Sequence, residues 1–102
     1  MSIKGSAYAR FRRALETGNL TAVRAAAAEL PAINLDDALR VCALFRADPS
    51  LYEQEVIRWL GRLCLERATT TITDLRLALA AFERLPDEPE QAEAELRQLV
   101  RT

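Results

Sequence analysis

Apolar residues along this chain recur at three- and four-residue spacing between scarce glycines and prolines, and that period predicts six helices and no strand. The first spans about Ala7 to Thr17, with Ser6 as N-cap and Gly18 placed where a left-handed residue costs little; Tyr8, Phe11, Ala14 and Leu15 share its inner face. Asn19 caps the second, whose stripe of Leu20, Val23, Ala27 and Leu30 ends at Pro31, and whose alanine run 25–28 offers a thin surface for close packing. Asn34, with Asp37 three positions on, resembles a capping arrangement for a third helix to about Phe45, on which Leu35, Leu39, Cys42 and Phe45 align. Val41 and Leu44 extend that face.

Asp48 followed by Pro49 opens the fourth helix, the most regular of the set. Its inner face is Tyr52, Val56, Trp59, Leu60, Leu63 and Cys64, widened by Ile57 and Leu65, which places it near the middle of the domain. Thr71 with Asp74 caps a fifth helix through Leu85, stopped by Pro86; Leu75, Ala78, Leu79 and Phe82 form one face, Leu77 and Ala81 another. Asp87 and Pro89 open a sixth with an apolar side of Ala92, Leu96, Leu99 and Val100. The linkers are short, so consecutive helices are expected to be antiparallel neighbours. The expected fold is one all-α domain over residues 1–102, with five or six antiparallel helices stacked as hairpins. An open repeat-like array is preferred to a closed bundle.

The chain has 102 residues, half of them hydrophobic and 28% charged, the balance of a globular domain and neither of a disordered nor of a membrane-spanning one. No stretch reads as a secretory signal or a membrane span, so a cytoplasmic, reduced protein is expected, with Cys42 and Cys64 as buried structural thiols. Net charge is -1, far from the basic balance of a dedicated nucleic-acid binder, and it shifts from basic at the N-terminal end to acidic at the C-terminal end. The last helix accounts for much of that acidity: Glu88, Glu90, Glu93 and Glu95 come early and Arg97 and Arg101 late, as the helix dipole favours.

Histidine is absent, which removes the imidazole base and the imidazole metal ligand together. Neither cysteine adjoins an evident base, and Lys4 stands alone. The carboxylate pairs Asp36 with Asp37 and Glu53 with Glu55 are conceivable, but helix capping explains the first. No metal-ligand spacing and no glycine-rich phosphate loop is present, so neither metal nor cofactor is expected, and no catalytic residue. Gly61, inside the fourth helix, costs about 1 kcal/mol relative to Ala and points to a close backbone approach, within the domain in preference to a partner. Two basic groups stand out, Arg10 with Arg12 and Arg13 on the first helix and Arg58 with Arg62 on the fourth, where Glu55 and Glu66 are placed to pair with the latter two. A solvated face, an acidic protein partner and a phosphate backbone each fit these groups. Trp59 is read as core, or as a partner anchor if a groove stays open.

Ala14-Leu15-Glu16-Thr17-Gly18-Asn19-Leu20, followed by Val23-Arg24, resembles the helical hairpin of an ankyrin-type repeat, though the Thr-Pro-Leu-His signature of that repeat is missing. The whole chain resembles small all-helical actinobacterial proteins of unknown function. That resemblance implies an array of helical hairpins and an interaction role. The expected function is therefore a non-enzymatic protein–protein interaction module, a small adaptor, inhibitor or accessory subunit, that binds another protein or itself through Arg10, Arg13, Arg58 and Arg62. The alternative is a small helical subunit or regulator in a nucleic-acid complex using the same arginines; no membrane association is expected.

Overall fold

In the computed structural model, which describes residues 3–30 and 32–101 with side chains from Ala7 onward, the helices are α1 (Ile3–Thr17), α2 (Leu20–Ala28), α3 (Leu35–Leu44), α4 (Pro49–Glu66), α5 (Ile72–Arg84) and α6 (Pro89–Arg101). No strand occurs among the described residues. Helix α1 starts upstream of the expected boundary and runs through Gly5 and Ser6, so Ser6 lies inside it and not at its N-cap position. The cost of one glycine is small enough for a continuing hydrogen-bond ladder to override. Gly18 ends α1 at φ 71°, a left-handed conformation in which a side chain would be strained. Its N–H reaches back to the carbonyls of Ala14 at 3.2 Å and Leu15 at 3.3 Å.

The other starts are capped as their sequences dictate. The Asn19, Asn34 and Asp48 side chains accept from Ala22, Asp37 and Leu51 N–H, and Thr71 forms a reciprocal capping box with Asp74. Helix α2 stops at Ala28, where Glu29 N–H tightens onto Ala26 O. Pro31, the expected stop, lies outside the described residues.

Packing joins α1 to α2, α3 to α4 and α5 to α6, and then α4 to α5 and α3 to α6. The last four helices thus close into a ring, where an open array was preferred, and the α1–α2 hairpin stacks on the remaining side of α3. The molecule measures 43 × 30 × 21 Å. Its apolar interior is divided accordingly. Leu35, Leu39 and Cys42 of α3 join Val56, Trp59, Leu63, Phe82, Leu85 and Leu96 inside the ring, while Val41 and Phe45 join Phe11, Leu15 and Val23 of the hairpin. Trp59 anchors the first core: its indole N–H donates to Leu35 O at 2.9 Å, and its ring meets Phe82 edge-on at 5.3 Å. The Tyr52 hydroxyl donates to Phe82 O at 2.7 Å.

Several residues expected inside are not. Ile57 and Leu65 are 63% and 86% exposed, and Cys64, Leu77 and Leu79 are also exposed. Helix α4 is therefore not central: α3 and α5 cover one side of it, and an apolar arc wider than that cover spills onto the surface. Tyr8 is turned outward to reach a carboxylate, and on α2 Ala26 is buried where Ala27 was expected. A Cβ built at Gly61 meets no atom within 4 Å, so no neighbour inside the domain explains that glycine.

Candidate protein-binding groove

The hairpin and the ring do not close completely on each other. Between them runs a groove of about 380 Å³, walled on the α2 side by Ala27 and Ala28; beneath it lie Val23 of α2, Val41 and Cys42 of α3, Phe45 at the end of α3 and Trp59 of α4, all of them buried. Alanines on α2 leave this space, because larger side chains at 27 and 28 would fill it. Burial, and secondarily the charge of Glu55, pushes the Cys42 thiol up to about 12, so at neutral pH it is an uncharged part of an apolar floor.

The rim is basic. Arg24 from α2 faces Arg58 and Arg62 from α4 across the groove, with Glu55 as the lining carboxylate. The Arg62 guanidinium is held in place, donating to Ile33 O at 2.7 Å and to Glu66 at 2.9 Å. Arg58 pairs with Glu55 at 3.1 Å, as its spacing predicts. Arg24 has no hydrogen bond or ion pair to any described residue, which leaves its charge available.

Of the four arginines singled out from the sequence, then, the structure brings Arg58 and Arg62 together and keeps Arg10 and Arg13 apart from them. Arg10 and Arg13 border a shallower recess between α1 and α2, where Arg10 is paired with Glu29. Arg24 completes the rim and was missed. It follows buried Val23 on a short helix, and only tertiary packing reveals that α2 leans toward α4.

A second concentration of charge lies where α1, α3 and α6 meet. Asp37, 3% exposed, accepts from Tyr8 Oη at 2.8 Å and from Arg12 at 2.7 Å; Glu93, also 3% exposed, is held by Arg40 at 3.2 Å and Arg97 at 3.3 Å. Arg97 also reaches Asp36 at 2.7 Å. The hydrogen bond to Asp37, with burial second, raises the Tyr8 hydroxyl above its ordinary pKa. Capping and the helix dipole were expected to account for Asp37 and Glu93, yet both are buried ends of interhelical ion pairs. Their oxygens are occupied by guanidinium and phenol donors, so the cluster can clamp helices but offers no free acid–base pair. Among the described residues no group of His, Cys, Asp or Glu is arranged to hold a metal ion, and no helix is long and apolar enough to cross a membrane. No protein family matches this sequence, and no curated protein or solved structure is detectably similar to it.

Proposed function

We propose that this protein is a non-enzymatic interaction module, a small adaptor, inhibitor or accessory subunit, that takes the apolar side of an acidic helix from another protein into the groove between α2, α3 and α4. The observation that carries this reading is the groove itself: apolar below and basic at the edge, where Arg24 is bonded to no described residue. Such a shape suits helix-in-groove recognition, in which one or two large side chains fill the floor and carboxylates beside them meet the arginines. A protein partner is favoured over a phosphate backbone because Arg10 and Arg13 stand apart from Arg58 and Arg62, and the net charge of -1 gives little attraction to a polyanion. Two unbridged cysteines support a reducing, cytoplasmic setting.

The test is affinity capture from the native host with the wild type, Ala27→Trp, which fills the groove, and Arg24→Glu, which reverses the free charge. The expected result is an acidic protein retained by the wild type and lost from both variants, with unchanged helical circular dichroism. A partner held equally by all three, or an association abolished by nuclease, overturns the reading.

A further inference from the structure

Helix α4 turns Tyr52, Val56, Trp59 and Leu63 toward the ring; Gly61 and Leu65 stand on the opposite side of the helix with Ile57 beside them and Cys64 at the edge of that face, all exposed. Gly61 sits in the middle of this outer face, and a Cβ there would meet open space. Nothing inside the domain uses the close approach that glycine permits. Within α4 the positions 54, 57, 61 and 64 alternate three- and four-residue steps, the spacing of a seam between two parallel helices.

We propose that this face binds the same face of a second copy of the chain, α4 lying parallel to α4 about a two-fold axis. Charge complementarity favours a second copy. Glu53 and Arg58 flank the seam on opposite sides and lie five residues apart, the spacing at which flanking residues of two parallel helices meet. In that register Glu53 of each copy stands opposite Arg58 of the other, twice over by symmetry. Antiparallel pairing about Gly61 instead sets Arg58 and Arg62 of one copy against the same two residues of the other. Glu53 has no partner among the described residues, and the Arg58–Glu55 pair is an exposed one that exchanges readily. The face is distinct from the floor of the groove, with Arg58 on the border between them, so this proposal does not rest on the groove reading.

The register also brings Cys64 of one copy to Cys64 of the other, while Cys42 is enclosed. Equilibrium sedimentation from the low to the high micromolar range should show the wild type passing from monomer to dimer. Ile57→Glu should weaken association at least about tenfold with an unchanged circular dichroism spectrum. Glu53→Arg should weaken it too, and Glu53→Arg combined with Arg58→Glu should restore it. Copper–phenanthroline oxidation should give a disulfide-linked dimer that Cys64→Ser abolishes. A strict monomer throughout the range, a dimer indifferent to Ile57→Glu, or a dimer in which Cys64 does not cross-link, overturns the proposal.

Discussion

The ring of α3 to α6 is organised around an enclosed Trp59 that bonds α3 and stacks edge-on against α5, whereas the α1–α2 hairpin centres on Phe11 and Val23 and completes its core only by borrowing Val41 and Phe45 from α3. Helix α3 therefore serves two interiors with two faces. The ring is self-sufficient in apolar contacts, but the hairpin depends on α3 and on polar ties that cross to it, above all Tyr8 and Arg12 to Asp37. The contrast teaches that the groove is a seam between a strong unit and a weaker one. Its floor belongs to the ring and to α3, its wall to α2, and its shape depends on the hairpin staying seated.

Substitutions can break this comparison in graded steps. Trp59→Ala should be the most damaging, costing about 3–5 kcal/mol through the cavity and the lost bond to Leu35 O, a large part of the 5–15 kcal/mol that keeps a domain folded. Urea denaturation checks it. Asp37→Ala should cost about 1–2 kcal/mol by removing the hydrogen bonds that Tyr8 and Arg12 make to it, both donors being open to water once it is gone, and should loosen the hairpin more than the ring. The change is to be read as faster thiol labelling of Cys42, which lies beneath the seam and is otherwise inert.

Smaller effects sharpen the picture on the ring side. Thr71→Ala, which removes half of the α5 capping box, should cost about 1 kcal/mol in denaturant unfolding. The backbone N–H of Thr71, and after it Arg67, holds Asp74 below the usual carboxylate range, and Arg84 does the same for Glu95. Both folded-state pKa values are depressed, so the stability they contribute is complete above the unfolded values of about 4 and is lost as pH falls through the lower folded ones. The melting temperature should fall along that acid limb, and Asp74→Asn should flatten its part of the fall. Gly61→Ala should act in the opposite direction, stabilising the dilute monomer by about 0.5–1 kcal/mol, because the site is open and helical.

Much of the fold was legible because its signals are local. Asn19, Asn34, Asp48 and Thr71 each carry a cap in their own side chain, and Pro49 and Gly18 mark boundaries that depend on a few neighbouring residues. The start of α1 was not legible, because Gly5 and Ser6 look like punctuation and the ladder passes through them. Burial was legible only in part, since periodicity gives the direction of an apolar face and not how much of it the neighbours cover. Hence Cys64, Ile57 and Leu65 came out exposed. Asp37 and Glu93 were misread for a related reason: the groups that make their burial tolerable, Arg12 and Arg40, lie on other helices, far away in the chain. The groove followed the same rule, with Arg58 and Arg62 visible as a pair but their third member, Arg24, placed by tertiary packing alone.

The two-part architecture is tested most directly by native-state hydrogen exchange read helix by helix. The account predicts that the amides of α1 and α2 open at lower free energy than those of α3 to α6, and that Asp37→Ala widens the gap by lowering the hairpin's opening free energy alone. Uniform protection across all six helices, moved equally by Asp37→Ala, would contradict it.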